Sequence, residues 1–231
     1  MKAGTTAKRV AMVLPEGLEY SMRLLEGAIG YAEQHPHIQL LEYNFQLGHA
    51  PDWLKRPLDC HGLLLWIQPD ERWAKPLFRA GVQAVNTVGG WPLKWARVVA
   101  FSTPDLVRAA LDHLGGLRPA TIGLVQDDLA NHPVYRKGQA LFLQFAAERK
   151  LRAVTFDVGQ QPGLDHQPPQ LTRHGLQRLC AFLRGLPRPA AVWANHDLIA
   201  QVTLDAALSV GLRVPDQLAV LGLGNYREAR Y

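Results

Sequence analysis

Several side chains able to bind a small polar molecule stand just after apolar runs. Tyr20, Trp91, Tyr135 and Trp193 each lie near the end of such a run. A flat aromatic face is a suitable platform for the CH surface of a sugar ring. Glu16, Arg136, Asn195 and Asp197 stand at comparable positions and can bracket hydroxyls, the charged ones making the stronger bonds. Each has a plainer reading beside it. A Trp next to a strand is usually core, and Trp193 divides evenly between core and pocket wall, whereas Trp91 leans towards the pocket. Asp197 stands where a helix needs an N-cap, worth about 1 kcal/mol by itself. Arg136, early in a helix, opposes the macrodipole, so a ligand or a buried acid accounts for it better than helix stability does.

Catalytic patterns are missing. The chain has no G-x-S-x-G elbow, no G-x-x-x-x-G-K-S/T phosphate loop and no H-E-x-x-H helix. Gly222-Leu223-Gly224 lacks the third glycine of a dinucleotide fingerprint. His35 and His37 flank Pro36 without a third ligand nearby, and Cys60–His61 has no partner pair at zinc spacing. The expectation is a binding protein and not an enzyme, with neither metal nor cofactor.

The elements that must position these residues alternate along the chain. Short apolar runs at Arg9–Leu14, Ile38–Tyr43, Gly62–Ile67 and Gln83–Val88 read as strands, the first and third apolar enough to be buried on both faces. Thr121–Val125, Ala153–Phe156, Ala191–Trp193 and Leu218–Leu221 repeat the rhythm. Between them, Tyr20–Gln34 carries apolar residues at spacings of three and four. Asp105–Leu114 follows Pro104 and stops at Gly115–Gly116, and Asp197–Val210 ends at Gly211. Strands alternating with helices imply parallel, doubly wound α/β units. We expect two such lobes, residues 8–102 and 103–231. In an open parallel sheet a ligand sits beyond the carboxyl ends of the strands, so the expected site is a cleft lined by those ends in both lobes.

At 231 residues and 48% hydrophobic content, the chain is long enough for one large α/β domain or two small ones. The net charge of +5 is dispersed along both halves and forms no basic stripe for nucleic acid. Two distant cysteines fit a reducing compartment. The apolar run Val10–Leu14 is too short for a secretion signal or a membrane span, so the expected location is cytoplasmic.

An ordered set of segments resembles a known family. Val10-Ala11-Met12-Val13 followed by Glu19–Ala32, then Trp53-Leu54-Lys55-Arg56, His61–Ile67 and Ala109–Leu114, is similar to the sensor domain of xylose-operon activators. That family joins a lac-repressor-like, type-1 periplasmic-binding fold to a C-terminal AraC-type DNA-binding domain. Asp205-Ala206-Ala207, Gly211–Asp216 and Leu218–Gly222 resemble the penultimate helix and strand of the wider superfamily. The resemblance implies a first lobe that is incomplete at its C-terminal return and exposes an apolar edge, a pentose-like sugar effector, a homodimer, and DNA contact only through a domain absent from this chain. A transport solute-binding protein is the alternative. The family's effector-contacting arginine falls on Arg136, and its N-D pair on His196–Asp197 with Asn195 displaced by one. Its closing Gly-x-Asp-Asn appears as Gly222-Leu223-Gly224-Asn225, which keeps Asn225 but loses the acid, and Ser102-Thr103-Pro104 replaces a Thr-Asp-Asn.

Overall fold

A computed structural model describes residues 7–55, 58–68, 72–77, 82–89, 93–127, 133–159 and 171–225. The chain divides into two compact units, Met1–Phe101 and Ser102–Tyr231.

In the first unit β1 (Lys8–Pro15), α1 (Glu19–Gln34), β2 (Ile38–Phe45), β3 (Gly62–Leu65), β4 (Gln83–Asn86) and β5 (Arg97–Val98) form a five-stranded sheet with α1 against it. Its order is β2-β1-β3-β4-β5 and every pairing is parallel. Ala11, Val13, Leu63, Leu65 and Ala84 point to one face, where short 3-10 turns at Asp52–Lys55 and Arg72–Leu77 bring Trp53, Trp73, Ala74 and Leu77 over them. Met12, Leu64 and Val85 are in register on the other face, where α1 packs on β1 and β2.

Two expectations are corrected here. β1 is buried on both faces at Ala11–Leu14, but β3 is not, because Leu64 lies beyond the cover of α1 and is half-buried. β3 and β4 also stop two residues short of the expected ends. Beyond Leu65 the backbone ladder gives way to a side-chain bridge: the Asn86 amide donates to the Ile67 carbonyl and accepts from its N–H, both at 3.0 Å. Met22, Ile29, Val98, Val99 and Phe101 are exposed, so this unit leaves apolar surface uncovered.

The second unit holds α2 (Thr103–Gly116), β6 (Thr121–Gln126), α3 (Pro133–Glu148), β7 (Ala153–Asp157), α4 (Arg173–Gly185), β8 (Ala190–Ala194), α5 (Asp197–Ser209) and β9 (Leu218–Leu221). The four strands are parallel in the order β7-β6-β8-β9. Helices cover both faces. Val107, Leu111 and Leu114 of α2 and Phe142, Phe145 and Ala146 of α3 close over Ile122, Leu124, Ala191 and Trp193. Leu179 and Leu183 of α4 and Ile199, Ala206 and Ala207 of α5 cover Val125, Val192 and Ala194.

The sequence analysis left the bounds of α3 and α4 undrawn, although their signals were present. Leu179 and Leu183 are four apart, and the Thr172 hydroxyl caps α4 by accepting from the Gly175 N–H at 3.1 Å. On the other face the Arg149 guanidinium ties α3 to Asp112 of α2 at 2.8 Å, and Arg108 lies 4.5 Å above the Phe145 ring. Among the described residues no helix is long and apolar enough to cross a membrane, and no group of three acids, histidines or cysteines could hold a metal ion.

Candidate ligand-binding site

The order β7-β6-β8-β9 has a switch point. From β6 the chain runs through α3 to β7 on one side, and from β8 it runs through α5 to β9 on the other. The two connections therefore lead to opposite edges of the sheet from the carboxyl ends of β6 and β8, which is where a parallel α/β sheet places its ligand crevice. The Asn195 N–H still donates to the Val125 carbonyl at 3.1 Å, which carries the ladder one step past the last strand pair and sets Asn195 beside the end of β6.

What stands there is polar and largely buried. Asp127, the first residue after β6, is 2% exposed, and Gln126 before it is 1% exposed. One carboxylate oxygen of Asp127 accepts from Asn195 Nδ2 at 2.8 Å and the other from His196 Nε2 at 3.1 Å. Burial by itself pushes the Asp127 carboxyl up. The His196 hydrogen bond and charge, the Asn195 amide and its own backbone N–H together outweigh burial and hold it below the usual carboxylate range.

A carboxylate can only accept, so it fixes both of its partners. Asn195 must turn its NH2 towards Asp127, and His196 must carry its proton on Nε2. The Asn195 Oδ1 that remains is buried without a partner, and so is Gln126 Nε2. Leaving a buried donor or acceptor unmet costs about 1–3 kcal/mol. An acceptor and a donor in that state at neighbouring strand ends are what a site for a hydrogen-bonding ligand requires.

Asp197 opens α5 and is 7% exposed. The cap position itself is His196, one residue earlier than expected, and its side chain makes no capping bond. Asp197 instead puts an acid in the first turn, where the helix dipole favours it. Its N–H donates to the Leu223 carbonyl at 3.0 Å, and its carboxylate lies so close to Gly222 that a Cβ there would overlap it. This contact ties the start of α5 to the loop after β9. In that loop Gly224 and Asn225 have φ of 122° and 53°, values that glycine and asparagine tolerate best.

The other anticipated residues are spread more widely. Trp193 is 5% exposed and packs in the α2–α3 core against Phe142, with ring centroids 6.2 Å apart. Arg136 is exposed on the first turn of α3, and Asn225 is exposed after β9. In the first unit Glu16 is exposed at the end of β1, where its N–H donates to the Phe45 carbonyl at 2.8 Å. Tyr20 is half-buried, with its hydroxyl donating to the Thr87 carbonyl at 3.3 Å, and burial raises its phenol against the opposing effect of that bond. Trp91 lies outside the described residues.

Gln126 and Asp127 belong to the strand-end stretch Gln126–Arg136 that the position of a ligand in a parallel sheet singles out, but neither was assigned a role from the sequence. The signal was available: a neutral amide and an acid directly end the fully buried strand Thr121–Gln126, at a position where another apolar residue would be equally at home.

Known proteins share this fold. A solved structure of a xylose-binding transcription activator superposes with a TM-score of 0.76 at 20% identity, covering 98% of this chain and 57% of that one. A LacI transcriptional regulator from a Rhodococcus species superposes at 0.72 with 20% identity, over 97% and 81%. The HTH-type transcriptional repressor PurR of Salmonella paratyphi B is 40% identical over 63 residues, which are 27% of this chain and 18% of that protein. The chain thus spans little more than half of the activator and aligns with under a fifth of the repressor. The two structures establish a type-1 periplasmic-binding-protein-like α/β fold. The periplasmic binding protein-like domain family matches residues 111–231, just over half of the chain and nearly all of the second unit, and to that family this protein belongs.

Proposed function

We propose that this chain is the sugar-effector-binding domain of a bacterial transcription regulator, a cytoplasmic homodimer that binds its ligand without turning it over. The observation that carries the reading is the buried polar cluster at the β6–β8 switch point, with an acceptor and a donor left open in a chain of binding-protein type. The similarity to a xylose-binding activator supports a pentose-like neutral sugar. Asn195, His196 and Asp197 bind it in the second unit, with Trp193 beneath them and Arg136 and Asn225 closing around it. Glu16, Tyr20 and Trp91, which follow apolar runs in the first half of the sequence, are further candidate contacts for the sugar. Ligand binding shifts an equilibrium between lobe arrangements by the difference in affinity for each, and the dimer passes that shift to DNA through a domain outside these 231 residues.

Isothermal titration of the purified chain with D-xylose, L-arabinose and D-ribose tests the reading. Saturable heat with at least one sugar is expected, and Arg136→Ala should weaken that binding by about 1.5–3 kcal/mol if the guanidinium makes a charge-assisted bond. No heat with any sugar, or turnover of one, would count against it.

A further inference from the structure

Each oxygen of Asp127 is held by a protein donor, Asn195 Nδ2 on one and His196 Nε2 on the other. Its effect passes through Asn195. By fixing that amide with its NH2 inward, Asp127 leaves Asn195 Oδ1 as an unmet acceptor at the end of β8, while Gln126 Nε2 is an unmet donor at the end of β6. Gln126 is buried almost completely. It continues the β6–β8 register one step beyond Val125 and Ala194, at the level of Asn195. Among the described residues the buried charged side chains are Asp127 and Asp197, both acids, and no Lys or Arg is buried. An anionic ligand would meet repulsion from these two buried acids, and Arg136, the cation that the effector-binding reading brings to the ligand, is exposed on the first turn of α3 and not buried beside them.

We infer that Gln126, acting beside Asn195, is a specificity-determining residue and Asp127 a positioning residue, together selecting a neutral ligand that presents a hydrogen-bond donor beside an acceptor, as a vicinal diol does, and rejecting phosphorylated sugars. The inference rests on the effector-binding reading and names the ligand chemistry of that site.

Two arms of one experiment test it. In the first, the parent chain, Gln126→Met, Asn195→Leu and Asp127→Asn are titrated with the neutral sugar that binds, with a deoxy analogue lacking one hydroxyl, and with D-ribose 5-phosphate. The parent should bind the neutral sugar, lose at least about tenfold on the deoxy analogue whose missing hydroxyl faces the pair, and show no heat with the phosphate. Gln126→Met and Asn195→Leu should bind the sugar at least tenfold more weakly and no longer distinguish it from the analogue. Asp127→Asn should also lose that discrimination while retaining its far-ultraviolet circular dichroism, a result that a merely structural role does not produce. Folded Gln126→Met and Asn195→Leu variants with parent affinity, or tighter binding of the phosphate than of the sugar, would overturn the inference.

The second arm needs no ligand. Because the Gln126 donor is unmet, replacing it with the apolar Met should raise the melting midpoint of the ligand-free protein by about 2–4 °C. A fall in the midpoint would overturn the inference whether or not any sugar binds. Failure of every sugar to bind would sink the effector reading instead, and the two failures are thereby distinguished.

Discussion

Replacing Asp127 with asparagine keeps the shape of the side chain and removes its charge. In the parent, two donors converge on the carboxylate at 2.8 and 3.1 Å in a site that is 2% exposed. Hydrogen bonds to a charged group contribute about 1.5–3 kcal/mol each, and part of that offsets the cost of burying the charge. The lowered carboxyl shows which effect wins: the ionised form is favoured by the fold despite its burial. In Asp127→Asn the new oxygen can still accept from Asn195, but the new NH2 faces His196 Nε2, so one charge-assisted bond is lost outright. We expect a loss of about 1–2 kcal/mol at pH 7. The pH dependence has a definite sign. A carboxyl held lower in the folded than in the unfolded protein contributes stability that is fully present above its unfolded value, about 3.9, and is lost as pH falls through the folded value. The gap between parent and variant should therefore persist down to about pH 5 and shrink below about 4. Urea unfolding followed by circular dichroism at a series of pH values measures it. Parallel curves with a gap under about 0.5 kcal/mol would refute the view that this carboxylate is held ionised by its two partners.

Three further substitutions probe other parts of the argument. Gly222→Ala puts a Cβ into the Asp197 carboxylate and 3.1 Å from the Ala200 Cβ, so a loss of about 1–3 kcal/mol is expected in thermal unfolding, and a neutral result would mean that the loop after β9 does not rest on α5. Asn86→Ala leaves the buried N–H and carbonyl of Ile67 without their partner; about 2–4 kcal/mol should be lost by urea denaturation, and faster amide exchange at Ile67 should accompany it. Tyr20→Phe removes only a long bond of 3.3 Å to the Thr87 carbonyl and should change stability by less than about 1 kcal/mol, so any larger loss of sugar affinity in the same variant reports on the ligand and not on the fold.

Much of this architecture was legible in the chain itself. The run Ala11–Leu14 has no polar interruption and is buried on both sides, because a strand between neighbours with covered faces can afford none. α2 begins next to Pro104 and ends at Gly115–Gly116, where local backbone chemistry sets the limits. Periodicity states which face of an element is buried, and cap residues state where it ends. Both are local properties, and they are enough for a parallel α/β fold with its polar groups at the strand ends.

Partners are not local, and only the tertiary structure decided them. Asp127 meets Asn195 and His196 across 68 and 69 residues of chain, and no spacing rule links them until β6 and β8 lie side by side. The same adjacency turned Trp193, ambiguous as a residue type, into a core side chain against Phe142. β5, two residues long, has no period of its own and exists because Val85 and Asn86 offer it an edge. A single side chain, Asn86, ended the β3–β4 ladder by satisfying the backbone of Ile67, 19 residues away. The pattern of apolar and polar residues settles what must be buried, because water acts on each residue separately; which buried polar groups find one another, and which are left without a partner, depends on strand order and register, which exist only once the chain has folded.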